Sequence, residues 1–202
     1  MRKLRVTTFL TLDGVMQGPG GPEEDPSGGF AHGGWSVKYW DDRLGQEMTE
    51  FMRPPFDLLL GRKTYEIFAA YWPRSTEPGA DALNSARKHV ASTTLHSVDW
   101  SNSTLIKGDV AAYVAELKKK SGPEIQVHGS GQLIQTLLKN DLVDEFHLMI
   151  FPVALGSGKR LFAEGTVPAA FTGSDVKTSN SGVIIATYQR AGAVKYGTYA
   201  PD

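Results

Sequence analysis

The sequence predicts an α/β fold: a mostly parallel mixed sheet, helices on both of its faces, and an antiparallel edge at the C-terminal end. Two observations carry this. Short apolar, β-branched runs alternate along the chain with stretches whose apolar residues recur at helical spacing. That alternation calls for crossover connections, and hence parallel neighbours covered on both faces. The last two strand-like runs, residues 171–176 and 182–190, follow one another without a helix, which makes an antiparallel pair. The chain has 202 residues and no repeat, linker or composition shift, so it reads as one domain over 1–202.

Leu4 to Leu12 is rich in Val, Thr and Phe and reads as a strand, turned by Asp13-Gly14. Residues 17–34 are packed with Gly, Pro and acidic side chains; a loop this long is a lid, a binding loop or a passive insertion. Trp35 to Met52 carries a helix signal, with Leu44, Met48, Phe51 and Met52 on one face and Pro54-Pro55 as the stop. Asp41 and Asp42 suit the positive end of that helix. Phe56 to Leu60 is a buried strand and Lys63 to Ala70 a helix; Trp72 to Ala86 is a loop with at most a short helix. His89 to Ser92 and Thr104 to Ile106 are short strands, and Asp109 to Lys120 has a helical face through Val110, Tyr113, Val114 and Leu117, ended by Ser121-Gly122-Pro123. Ile125 to His128 is a strand, then a Gly129-Ser130-Gly131 turn opens a helix marked by Leu133, Leu137, Leu138 and Leu142. Glu145 to Pro152 is the next strand, and the tail, 192–202, is peripheral.

Bulk properties exclude several classes. A net charge of −1 gives no electrostatic footprint for nucleic acid or a membrane surface. The absence of cysteine rules out disulfides, thiolate zinc sites and a cysteine nucleophile, and fits a cytoplasmic location. The histidines show no metal-ligand spacing, so no metal is expected. No apolar run approaches the roughly 20 residues of a membrane span, and Asp13-Gly14 interrupts the N-terminal run before it could serve as a signal peptide.

Three strand ends are suited to anions. In Gly129-Ser130-Gly131, glycines allow close backbone approach and the helix start offers unpaired N–H groups; a plain tight turn is the alternative, since a third glycine of the dinucleotide fingerprint is replaced by Ile134. Gly61-Arg62-Lys63-Thr64 puts two cations and a hydroxyl at a helix start, where cations are unfavourable unless an anion binds; a solvated first turn is the alternative. Ser92 and Thr93 add hydroxyls at a third strand end. His128 ends the glycine-turn strand, either as a proton donor near neutral pH or as a hydrogen-bonded wall residue. Gly156-Ser157-Gly158-Lys159 lacks the first glycine and the hydroxyl of a P-loop; the basic pair Lys159 and Arg160 either holds a substrate phosphate or is an exposed turn.

Phe56–Leu60 with Gly61-Arg62-Lys63-Thr64-Tyr65-Glu66, then Val90-Ala91-Ser92-Thr93, then Val127-His128-Gly129-Ser130-Gly131 occur in an order and spacing that resembles the dihydrofolate reductase-like superfamily. Thr11-Leu12-Asp13-Gly14, Leu142-Val143-Asp144-Glu145 and residues 152–162 are similar to one branch of it, the reductase domain of the bacterial riboflavin-biosynthesis deaminase-reductase and its stand-alone relatives. The resemblance covers nearly the whole chain and implies a three-layer α/β/α fold. It implies NADPH held by Gly61, Arg62, Lys63, Thr64, Ser92, Thr93, Gly129, Ser130, Gly131, Gln132 and Leu133, with Asp13 or His128 orienting the substrate or relaying a proton. The implied activity is hydride transfer to a small heterocyclic or sugar-carbonyl substrate, as in 5-amino-6-(5-phosphoribosylamino)uracil reductase. A non-catalytic nucleotide- or flavin-binding module and a true dihydrofolate reductase are the alternatives. Asp41 and Asp42 lie near the acid of folate reductases but at unconvincing spacing; the zinc pattern of the deaminase domain is absent; a homodimer is a family expectation.

Overall fold

The computed structural model describes residues 1–199; the end of the predicted tail, residues 200–202, lies outside the described residues. The strands are β1 (Leu4–Thr11), β2 (Phe56–Gly61), β3 (Arg87–Ala91), β4 (Ser103–Ile106), β5 (Glu124–His128), β6 (Glu145–Phe151), β7 (Phe171–Thr178) and β8 (Ile184–Arg190). They form one sheet in the order β4-β3-β2-β5-β1-β6-β8-β7. All neighbours from β4 to β6 are parallel, and β6-β8 and β8-β7 are antiparallel. The fold is therefore the mostly parallel mixed sheet with an antiparallel edge that the alternation of elements predicts, and it is the three-layer arrangement of the resemblance.

The helices are α1 (Asp42–Phe51), α2 (Arg62–Tyr71), α3 (Ala80–Ser85), α4 (Val110–Lys119) and α5 (Gly131–Lys139). Alternation along the strands sorts them onto two faces. Val114 and Leu117 of α4 and Leu133, Ile134 and Leu137 of α5 pack with Leu4, Val6, Leu59, Ile125 and Val127. The opposite face carries Leu44 of α1 with Met149 and Phe151, and Tyr65 and Leu83 of α2 and α3 with Leu58, Leu60 and Val90. Complete burial of a leucine or phenylalanine contributes about 1.5–3 kcal/mol, so these two interfaces hold the layers together.

The first predicted helix is shorter than residues 35–52. Asp41 is its N-cap, accepting the Leu44 N–H at 2.9 Å, and Trp35 and Ser36 are held instead by the loop before them. Trp35 Nε1 donates to the Gln17 carbonyl (2.7 Å) and Ser36 Oγ to the Pro19 carbonyl (2.8 Å). Those bonds make residues 17–34 a closed Ω-loop with Phe30 buried beneath it. Gly158 lies under the same loop at φ 125°, where a Cβ would sit 2.6 Å from Val15 and 2.9 Å from Phe30. Gly158→Ala is therefore expected to cost about 1–3 kcal/mol by overpacking and to speed proteolysis within residues 17–34. Urea unfolding and limited proteolysis measure both; an unchanged midpoint contradicts this packing.

Candidate functional site

The crossover after β2 leads through α2 and α3 toward β3, and the crossover after β5 leads through α5 toward β6, on the other side. Right-handed connections then place α2 and α5 on opposite faces although β2 and β5 are adjacent. This is a topological switch point, where open α/β sheets form a crevice at the carboxyl ends of the strands. A cleft of ≈ 3090 Å³ opens there, bordered by Gly61, Gly129, Ser92, Lys159 and the Asp25 segment of the Ω-loop.

A hydrogen-bonded clamp shapes its centre. The Gly61 N–H donates to Ser130 Oγ (2.9 Å), Ser130 Oγ donates to the His128 carbonyl (2.8 Å), and the Ser130 N–H donates to Thr64 Oγ1 (3.0 Å). Gly129 and Ser130 are both left-handed, at φ 51° and 56°. A Cβ on Gly129 would approach Thr64 Oγ1 to 2.9 Å, so close approach as well as φ demands glycine. The hydroxyls of Ser130 and Thr64 are thus spent on building the turn. What faces the cleft is backbone: no side chain caps α2 or α5, and the first helical bond of α5 runs from the Ile134 N–H to the Ser130 carbonyl (3.0 Å). The first-turn N–H groups of Arg62, Lys63 and Thr64, and of Gly131, Gln132 and Leu133, have no intrahelical acceptor. Two positive helix ends converge on one crevice, an arrangement built for an anion.

Charged side chains surround it. Asp25 of the Ω-loop accepts from Lys63 Nζ (3.1 Å) and from Lys159 Nζ (2.5 Å), and Lys159 Nζ also reaches Ser27 Oγ (2.7 Å). Burial opposes the charge on Asp25, but the hydrogen bonds from Lys159, Ser27 and Lys63 outweigh it and hold the carboxyl well below the usual range. Buried Gln17 secures the loop further, donating to the carbonyls of Asp25 and Ser27 (both 2.9 Å) and accepting the Lys159 N–H (3.0 Å). Arg62 pairs loosely with Glu66 (3.3 Å) and is half exposed. Ser92 Oγ accepts the N–H groups of Thr94 and Leu95 (3.1 and 3.0 Å), which turns the chain so that Ser92 and Thr93 border the far end of the cleft.

Toward α1 the cleft floor is polar. His128, Thr7 and His147 are register partners on β5, β1 and β6. Gln126 Nε2 donates to the Phe51 carbonyl (2.7 Å) and to Glu124 (2.6 Å), which leaves its Oε1 to accept from His128 Nε2 at 3.1 Å. Burial, then the neighbouring His147, push the His128 pKa down from 6.5 to about 4. His128 is neutral at neutral pH, with its one ring proton given to Gln126. It lines the cleft as a hydrogen-bonded wall residue rather than as a charged proton donor.

The structure does not bring Asp13 to this cleft. Its carboxylate accepts from Thr11 Oγ1 (2.5 Å) and from the N–H groups of Leu155 (3.1 Å) and Gly156 (2.8 Å). The Thr11 hydroxyl is the largest influence holding its pKa down to about 2. Asp13 is a pin between the first turn and residues 153–160. Asp41 is likewise spent, on the Leu44 and Ser181 N–H groups. The acid of α1 that is buried at the cleft is Glu47, paired with Lys177 (2.9 Å) and Arg43 (3.3 Å). Thr7, Asp25 and Glu47 are the site residues the sequence reading missed. Spacing from Leu44 (i+3) and to Phe51 (i+4), on the apolar face of α1, could have flagged Glu47; nothing local marks the other two. Among the described residues no group of His, Asp or Glu could hold a metal, and no helix is long and apolar enough to cross a membrane.

Residues 2–185 match the RibD C-terminal domain family. Uncharacterized protein YyaP of Bacillus subtilis (strain 168) is 29% identical over 192 residues, 93% of this chain and 94% of that protein. A solved protein of Shewanella sp. PV-4 proposed to act in riboflavin biosynthesis superposes with a TM-score of 0.66 at 24% identity, over 93% of this chain and 98% of that one. The diaminohydroxyphosphoribosylaminopyrimidine deaminase/5-amino-6-(5-phosphoribosylamino)uracil reductase of Thermotoga maritima superposes with a TM-score of 0.61 at 15% identity, over 94% of this chain and 57% of that longer one.

The neutral, buried His128 has a consequence for stability. A histidine whose folded pKa is depressed stabilises the fold above its unfolded pKa and loses that contribution as pH falls through the folded value. From 6.5 to about 4, the loss between pH 7.5 and 4.5 is about 2–3 kcal/mol. Urea unfolding of wild type and His128→Gln at both pH values is expected to show the variant losing less stability on acidification by about that amount; equal losses contradict the assignment.

Proposed function

The chain belongs to the RibD C-terminal domain family, and on that footing we propose that it is a reductase drawing its hydride from NADPH. The observation that carries the proposal is the convergence of two uncapped helix starts, those of α2 and α5, on the crevice between β2 and β5. The fit to a dinucleotide rests on this geometry: six orphan N–H groups for a pyrophosphate, and a left-handed turn where any Cβ on Gly129 would meet Thr64. Gly61, Gly131, Gln132 and Leu133 would line the pyrophosphate, with Thr64 and Ser130 holding the turn that presents them. Arg62, Lys63, Ser92 and Thr93 would receive the 2′-phosphate. Lys63 is paired to Asp25 in the closed loop, so a phosphate taken there exchanges one anion partner for another.

NADPH, when bound, supplies a hydride; the protein's work is binding, orientation and exclusion of water. The substrate would lie on the floor beneath α1, against Phe9, Trp40, Met48, Phe68 and His128, with residues 17–34 covering the crevice. His128, neutral and bonded to Gln126, positions the substrate. Asp13 acts on the site only through the segment it pins. The substrate is a small heterocycle or sugar carbonyl, of the kind named for the Thermotoga maritima relative.

Titration calorimetry with both dinucleotides tests this. NADPH is expected to bind at least about tenfold more tightly than NADH, and Lys63→Ala to remove most of that difference, about 1.4 kcal/mol. Equal affinities would sink the 2′-phosphate assignment. No binding of either would sink the reductase reading, and binding without oxidation against pterin, pyrimidine and sugar-carbonyl acceptors would favour a non-catalytic module.

A further inference from the structure

We propose that the half of the cleft beneath α1 takes an uncharged or cationic substrate and turns a phosphorylated one away, so that the compound reduced there carries no phosphate. This rests on the reading of that space as the substrate site, and it narrows the proposed range to its unphosphorylated members. It sets the chain apart from the Thermotoga maritima relative, whose name specifies a phosphoribosyl compound. The helix starts around the cleft are of two kinds. α2 and α5 have no side-chain cap and no acid in the first turn, and both open on the crevice between β2 and β5. The start of α1 is closed to anions twice over. Asp41 caps it, accepting the Leu44 N–H at 2.9 Å, and Asp42 adds a carboxylate to its first turn. A positive helix end is thus left open on the cofactor side and neutralised on the α1 side.

Side-chain charge follows the same division. In the sheet order β4-β3-β2-β5-β1-β6, Lys107 follows β4 and Arg62 and Lys63 follow β2, whereas α1 packs on Met149 and Phe151 of β6. Lys159 is held by Asp25 at 2.5 Å, and Arg160 by the carbonyls of Asp13 (2.9 Å) and Gly156 (3.2 Å). What α1 and the later part of α2 bring to the cleft is acidic: Asp42, Glu47, Glu50 and Glu66, with Glu77 beyond them. Among the described residues lining that half, Arg43 is the one cation, His128 being neutral. Arg43 is paired with Glu47 (3.3 Å), which Lys177 also reaches (2.9 Å). Glu50 and Glu66 are matched by Arg53 (2.5 Å) and Arg62 (3.3 Å). A phosphate placed there would meet carboxylates, with neither a free cation nor an open helix end to receive it, and like charges so placed reject a ligand.

Space is not what excludes it, since the cleft measures ≈ 3090 Å³. The walls of the α1 half are aromatic and apolar. Phe68 lies beside His128 (ring centroids 6.3 Å) and Trp72 (6.1 Å), and Phe9 beside Trp40 (6.2 Å). Met48 and Met52 of α1 line the same half. Such side chains adapt to an apolar body and supply no counter-charge. The complement of these walls and their acidic surround is an apolar group with a neutral or positively charged substituent.

Benzyl alcohol, benzylamine and benzyl phosphate share one ring and differ in charge, so the three serve as probes. The protein is first saturated with NADP+, which fills the helix starts of α2 and α5 and leaves the α1 half open. The readout is the amide resonances of residues 41–52 and 66–72 in 1H–15N spectra, with NADPH affinity measured on the same samples. The alcohol and the amine are expected to move these resonances, and the phosphate to bind at least about tenfold more weakly than the alcohol. Raising NaCl from about 0.05 to 0.5 M is expected to narrow that gap, whereas a gap set by the size of the phosphate would ignore salt. Glu47→Gln releases Arg43 and Lys177 from their carboxylate and is expected to close most of the gap. Glu50→Gln, at an exposed position that the fold tolerates, is expected to narrow it by a smaller factor. Benzyl phosphate binding as tightly as the alcohol, a gap indifferent to salt and to both variants, or no response of residues 41–52 to any probe up to its solubility overturns the proposal. If NADPH binds in that case, the reductase reading stands without it; if NADPH fails to bind while the free protein shows the same order of probes, the charge preference stands and the reductase reading falls.

Discussion

The clamp joining Gly61, Thr64, His128 and Ser130 is the constraint on which the site depends. It links the ends of two adjacent strands whose helices depart to opposite faces. The chain uses two hydroxyls and a doubly left-handed turn to hold those ends together, and in doing so aims both helix starts into one crevice. Capping side chains at α2 or α5 would have satisfied the same N–H groups internally. Their absence leaves the positive ends of two helices facing a common space, and that space is where an anionic ligand is best stabilised.

The remaining parts of the site are arranged around that crevice by long-range contacts. Asp25 ties the Ω-loop to lysines from two different segments, Lys63 of α2 and Lys159, 134 residues from Asp25. Asp13 fixes residues 153–160, from which Lys159 projects. On the α1 face, buried polar side chains of β5, β1 and β6 make a floor that an apolar core would not tolerate without partners. Gln126 satisfies most of its own capacity and sets the tautomer of His128, while the Thr7 hydroxyl and His147 Nδ1 are left without partners.

Much of the architecture was legible because local patterns reflect burial. Phe56 to Leu60 is apolar but for Asp57, which is buried against Arg2, because its strand is covered on both faces, and α4 begins after Asp109 because that carboxylate accepts two helix N–H groups. The helix predicted from Trp35 begins later because Trp35 and Ser36 bond to the loop, a preference no periodicity reveals. Gly129 was readable as a tight turn, but that its missing Cβ makes room for Thr64 depends on β2 lying beside β5. Asp13 was named as a site acid by the family resemblance; its partners Leu155 and Gly156 are more than 140 residues away. His128 carried the right chemistry in the sequence, but its protonation is fixed by burial and by Gln126. Thr7 gave no local signal at all, since its place at the cleft arises from strand order.

Amide hydrogen exchange with and without NADPH tests the central claim, that two helix starts share one anion. The N–H groups of residues 62–64 and 131–133 have no intrahelical acceptor and are expected to exchange fast in the free protein. The account predicts that NADPH slows both sets together by at least about tenfold. Slowing of one set alone, or of neither while NADPH is bound, would contradict it.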